Sequence, residues 1–177
     1  MASIRIFGGR HANRNIAFLD DAAIRPTSVR ARKVLFDWLR FEVRNKRCLD
    51  LFSGSGILGF EAMSQGAESV LCVDHNEAAC LKIGYEARRV GENGLTVLCK
   101  KIPFEIKETF DVCFMDPPFS QKKLYEDTFK WLEPVVIAGG FLYVEANECL
   151  EDMEAWTLYK KKKVSSVWMH LYQRAGA

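Results

Sequence analysis

Apolar residues recur at two different periods along this 177-residue chain, and the period switches from one segment to the next. From position 47 onward, short apolar runs at 47–51, 70–74, 95–99, 112–115 and 141–144 read as strands. Between them, stripes at helical spacing predict helices over 57–65, 76–90 and 121–132. Gly66 and Gly91 fit helix C-terminal positions. Strand and helix in alternation predict parallel βαβ units rather than hairpins. Segments 156–162 and 167–172 read as two strands joined by a turn over 163–166, an antiparallel pair closing one sheet edge. Ahead of this, 4–9 alternates weakly, as in a short strand or hairpin. Ala31, Val34, Leu35, Trp38 and Leu39 then form a helical stripe with Thr27 or Ser28 as its cap.

The expected fold is therefore α/β, with a mostly parallel Rossmann-like sheet and an antiparallel C-terminal strand pair. The length suits one core over 47–177 with an N-terminal extension over 1–46 packed on it. No apolar run approaches the roughly 18 residues of a membrane span, and no leader pattern opens the chain, so a cytoplasmic protein is expected. Six dispersed cysteines lack the paired spacing of a zinc or redox site and read as buried thiols. His11, His75 and His170 form no metal or triad pattern, so no metal is expected.

Charge is unevenly distributed. Residues 1–47 hold 11 Lys/Arg against 4 Asp/Glu, whereas the remainder holds 14 against 19. A basic arm on a mildly acidic body is the footprint of a polyanion partner, because cations that neutralise phosphates release condensed counterions. Arg5, Arg10, Arg14, Arg30 and Arg32 are the candidate phosphate contacts. Arg30 and Arg32 belong to the polar face of the first helix, with Lys33, Asp37 and Arg40.

Two motifs carry the chemistry. Asp50 and Phe52 lead into Ser53, Gly54, Gly56 and Gly59, a glycine-rich turn from strand to helix. Asp74 follows at the distance of a ribose ligand. The spacing matches a dinucleotide loop, but carboxylates at 50 and 116 would repel a pyrophosphate. They suit a cofactor with an ammonium and a sulfonium, which points to S-adenosylmethionine. The second motif, Asp116, Pro117, Pro118 and Phe119, ends an apolar strand with an acid, two prolines and an aromatic ring. It is suited to accepting the protons of a planar amine and stacking on its ring.

Taken together, the two motifs resemble those of the RsmD family of bacterial 16S ribosomal RNA guanine-N2 methyltransferases. The resemblance extends to Arg5 through Gly9, to Arg25-Pro-Thr27 with its Arg-rich helix, to Glu61-Ala62 and to Leu171 through Arg174. It implies a class I methyltransferase fold and S-adenosylmethionine as methyl donor. The acceptor it implies is ribosomal RNA, within an assembled small-subunit particle, and the protein is expected to act as a monomer. Carried over by motif, Asp50, Phe52, Ser53, Gly54 and Gly56 would hold the methionine end of the cofactor and Asp74 its ribose. Asp116, Pro117, Pro118 and Phe119 would hold the target guanine. Related enzymes place an Asp or Asn after the third core strand to meet the adenine. This chain has Cys99, Lys100, Lys101 and Ile102 there, leaving that contact unassigned. A DNA-base or protein-amide methyltransferase is the alternative within methyl transfer. A nicotinamide oxidoreductase, using Tyr159 and Lys163, is the alternative outside it.

Overall fold

The structure, a computed structural model, describes residues 2–21, 24–117 and 122–176. Strands β1 (Ala2–Arg5) and β2 (Asn15–Phe18) form a small antiparallel hairpin, and α1 (Val29–Trp38) follows. The core then runs β3 (Arg47–Leu51), α2 (Ile57–Ser64), β4 (Ser69–Asp74), α3 (Glu77–Val90), β5 (Leu95–Cys99), β6 (Phe110–Met115) and α4 (Lys122–Leu132). It ends with β7 (Val136–Ala146), β8 (Trp156–Val164) and β9 (Val167–Arg174). Seven strands make one sheet in the order β5-β4-β3-β6-β7-β9-β8, parallel as far as β7 and antiparallel for the last two.

Central strands β3 and β6 are almost wholly buried, as expected where helices cover both faces of a parallel sheet. Cys48, Val112, Phe114, Tyr143 and Leu171 point to one face, and α1, α2 and α3 cover it. Leu49, Leu51, Met115, Leu142 and Tyr172 point to the other, against Tyr125, Phe129 and Leu132 of α4. Helix α2 is buried at all eight positions, wedged between the sheet and the N-terminal segment. Ser28 caps α1 by accepting from the Ala31 amide at 3.2 Å, and Asn76 caps α3 through the Ala79 amide at 3.1 Å.

The N-terminal segment shares a core with the sheet through Ile6, Ile16, Leu35 and Leu39. Carboxylates on the helices bind its backbone: Glu61 accepts from Phe7 N at 3.0 Å and Glu86 from Ala17 N at 3.1 Å.

Arg32 departs from its expected place on the polar face of the first helix. Its side chain is fully buried, ion-paired with Glu61 and donating to the carbonyls of Thr27 at 3.1 Å and Arg5 at 3.0 Å. Arg32 thus ties α1 to α2 and to both ends of the N-terminal segment, and no phosphate can reach it.

Candidate active site

Four adjacent parallel strands each end in an acid, and register brings these acids together. Asp50 of β3 lies opposite Cys72 of β4 and Phe114 of β6. Met115 lies opposite Val144, so Asp116 and Glu145 follow as neighbours at the carboxyl edge. Alternation along each strand turns Asp74, Asp50, Asp116 and Glu145 to the face covered by α1 and α2. All four line one cleft of about 560 Å³. Carboxyl ends of parallel strands are where open α/β sheets bind ligands.

The glycine loop forms the floor of this cleft. Phe52 has φ 55°, a left-handed turn unusual for a residue with a Cβ. Ser53 Oγ holds the turn by donating to the Asp50 carbonyl at 2.7 Å. Gly56 starts α2 at φ 74°, and any Cβ there would lie 3.0 Å from Ile83. Gly59 must be bare because a Cβ would stand 2.7 Å from Cys72 Sγ. That absence lets the Gly59 amide reach Asp50 Oδ2 at 3.1 Å. Asp74 draws the loop to β4, accepting from Gly54 N at 2.8 Å and from Asn76 N at 2.9 Å.

Among the described residues, no ion pair engages Asp50, Asp116 or Glu145. Burial pushes Asp50 up to about 8, with the Gly59 amide opposing and the Asp74 charge adding. Asp116 is held well above the usual carboxylate range by desolvation, then by the charges of Glu145 and Asp50. Glu145 is raised by burial, against hydrogen bonds from Tyr143 and Thr27. Two buried acids, Asp50 and Glu145, and the half-buried Asp116, all biased toward their neutral forms, make a site that gains by receiving a positive charge or polarised N–H donors.

Asp50, Phe52, Ser53, Gly54, Asp74, Asp116 and Pro117 all line this cleft, so the two sequence motifs converge. Pro118 and Phe119 lie outside the described residues. Arg10 and Arg14 are bound elsewhere. Arg10 pairs with Glu92 at 2.6 Å, just beyond α3, and Arg14 donates to the carbonyl of Val90, the last residue of α3, at 3.0 Å. Helix α3 begins at the cleft and runs 14 residues, so these arginines stand about 20 Å away, at the opposite edge. Arg5 and Arg30 are exposed. Tyr159 and Lys163 lie in β8 and outside the cleft lining, where they could not serve a nicotinamide.

Sequence reasoning overlooked Glu145 and the wall formed by Ser165 and Ser166 between β8 and β9. The signal was present: Glu145 closes an apolar strand just as Asp116 does. Thr27, expected as a possible helix cap and part of the Arg25-Pro-Thr27 motif but assigned no role in the site, also faces the cleft.

Known proteins resemble this chain over nearly its whole length. The family described as Conserved hypothetical protein 95 matches residues 4–173. Ribosomal RNA small subunit methyltransferase D of Escherichia coli (strain K12) is 34% identical over 185 residues, covering 97% of this chain and 90% of that protein. Its namesake from Haemophilus influenzae is also 34% identical, covering 96% and 93%. Among solved structures, yhhF from Escherichia coli superposes with a TM-score of 0.89 at 28% identity, covering 99% of this chain and all of that one. The Thermus thermophilus 16S rRNA N2 G1207 methyltransferase RsmC, in complex with AdoMet and guanosine, gives 0.77 at 20% identity. It shares the fold, over 99% of this chain and 50% of its own.

Proposed function

The chain belongs to the RsmD family, and from that premise we propose that it methylates the exocyclic N2 amine of a guanine in small-subunit ribosomal RNA. The family's members are named as ribosomal RNA methyltransferases, the fold is that of class I S-adenosylmethionine-dependent enzymes, and the cofactor is S-adenosylmethionine. Target atom, assembled-particle substrate, monomeric state and action in the cytoplasm are parts of this proposal.

The row of acids with no ion pair among the described residues is the observation that carries the reading. A cleft walled by a bare glycine loop and buried carboxylates fits a cofactor that is cationic at two centres. When bound, S-adenosylmethionine supplies an electrophilic methyl group. Asp50 would face its ammonium end, with Phe52, Ser53, Gly54 and Gly56 shaping the turn around it. Asp74 offers the ribose diol a carboxylate already fixed by two backbone amides.

A guanine N2 is a poor nucleophile because its lone pair is delocalised into the ring. Asp116 and the Pro117 carbonyl would accept its two N–H bonds, turn the lone pair out of conjugation and stabilise the charge that develops on nitrogen. Proline at 117 has no N–H to compete. The raised pKa of Asp116 suits it to receive the proton that the methylated nitrogen then loses. Pro118 and Phe119 would complete the wall, with the ring stacking on an extruded base for about 1–3 kcal/mol. Arg25, which lines the cleft, and the exposed Arg5 and Arg30 are the candidate arginines left for phosphates.

The test is transfer of labelled methyl from S-adenosylmethionine to ribosomal RNA and to small-subunit particles, followed by nucleoside analysis. Label in N2-methylguanosine is expected. Asp116→Ala should cut turnover by about 10²–10³ while cofactor binding survives. Label in another nucleoside, or full turnover in the variant, refutes the assignment.

A further inference from the structure

We propose that the β8–β9 hairpin is the RNA-backbone docking element, with Lys160, Lys162 and Lys163 as its phosphate contacts. The inference rests on the RNA reading above and moves the main electrostatic footprint from the front of the chain to its far end.

Strand register places these lysines. Glu145 of β7 pairs with Met169 of β9, and Met169 pairs with Lys162 of β8. Two strand spacings of about 4.8 Å put the Lys162 backbone roughly 10 Å from that of Glu145. Lys162 and Lys160 pair with Met169 and Leu171, whose side chains join the core on the α1 face. Both lysines therefore project from the same sheet face as the four acids. Lys163 is on the other face, its Nζ 5.7 Å from the Trp168 ring centroid. The turn that follows, Ser165 and Ser166, is itself a wall of the cleft.

Among the described residues these charges have no acidic partner, although Lys160 Nζ lies 5.3 Å from the Tyr159 ring centroid, much as Lys163 lies over Trp168. Lys161 is bound to Glu151 at 3.1 Å, but among the described residues no ion pair takes Lys160, Lys162 or Lys163. Strand β8 is the free edge of the sheet, so no neighbouring strand obstructs it. Of the N-terminal arginines, Arg32 is sealed in the core and Arg10 and Arg14 are engaged at the opposite edge, which leaves Arg25 in the cleft wall and the exposed Arg5 and Arg30. A polyanion that inserts one base between the acids must run its backbone along the rim of the cleft. The lysines of β8 supply positive charge at that rim, where phosphate contacts set the register of the base.

The experiment uses the full chain with Lys160, Lys162 and Lys163 all changed to Gln, titrated against a fluorescent RNA stem-loop with a looped guanine over a range of salt. For single strands each phosphate contact contributes about 0.7 to the slope of log K against log salt, so the slope should fall by about 2. Affinity at physiological salt should drop about tenfold or more, with S-adenosylmethionine binding unchanged. The triple Lys→Arg variant should keep the slope, and so should Arg44→Gln with Arg88→Gln, charges removed far from the cleft. An unchanged slope in the Gln variant overturns the proposal. If that variant aggregates as well, the lysines serve instead to keep an edge strand from pairing with other chains. Failure of the unmodified protein to bind or methylate any RNA would overturn the RNA reading and this inference with it, whereas normal methylation with an unchanged slope would sink this inference alone.

Discussion

Acids at the two edges of this sheet live under opposite conditions. At the amino edge and around the helices below it, each buried carboxylate has a cation: Glu61 has Arg32, Glu86 has Arg89 and Lys82, and Glu92 has Arg10. At the carboxyl edge, Asp50, Asp116 and Glu145 have hydrogen bonds or one another, and none has a cation among the described residues. The first arrangement holds helices and hairpin together. The second costs stability at neutral pH and is sustained by the surrounding fold, which is the signature of a site built for a ligand.

The largest expected effect comes from unpairing the compensated edge. Arg32→Met would strand Glu61 in the core, which burial already pushes toward its neutral form, and should cost about 3–5 kcal/mol in denaturant unfolding. Adding Glu61→Leu should recover most of that. A double variant no better than the single would break the comparison, because the pair would then matter for more than mutual neutralisation.

Next in size is a gain at the cleft. Asp50 titrates near 8 when folded, against an ordinary carboxylate value near 4 when unfolded. The folded state binds the extra proton between those values, so stability is lost as pH rises through that window. Asp50→Asn should remove this loss, making the variant about 1–3 kcal/mol more stable than the native chain near pH 8 and little different near pH 4. Equal stability of the two proteins near pH 8 would show that Asp50 is not under this burden.

Cofactor affinity should show the reverse face of the same titration. A cationic ligand favours ionised Asp50, so S-adenosylmethionine should bind more tightly as pH rises toward about 8, by at most tenfold per pH unit, and level off above. Calorimetry over that range checks it, and the dependence should weaken in Asp50→Asn, leaving the part that Asp116 and Glu145 contribute. Smallest is Arg10→Gln, where a half-exposed guanidinium leaves Glu92: about 1 kcal/mol or less, shrinking with added salt. A much larger loss would mean that the amino edge depends on its rim charges.

Much of the sheet was legible because buried parallel strands are short apolar runs with acids or glycines at their ends. Strands β3 and β5 agree with the periodicity residue for residue. Strand β7 does not, starting at Val136 rather than 141, because its first turn outward is exposed and carries Gly139 and Gly140. Its pairing with β6 shifts register there, between Phe110 and Val112. Arg32 was misread by residue type. It is three and seven residues from Leu35 and Leu39, on the buried stripe, but an arginine is placed outside unless its partner is known. That partner, Glu61, sits 29 residues away on a helix that is otherwise almost wholly apolar. Glu145 was missed for a related reason: its neighbour in the site, Asp116, comes from a separate strand, and only register joins them.

Strand β9 lies between β7 and β8 although it follows both in the chain. As the polypeptide emerges during synthesis, β8 has no place to settle until 167–174 has slotted in beside β7. The Ser165–Ser166 wall and the lysines of β8 therefore take their places only through β9, whereas the glycine loop and the four acids belong to strands that pair without it.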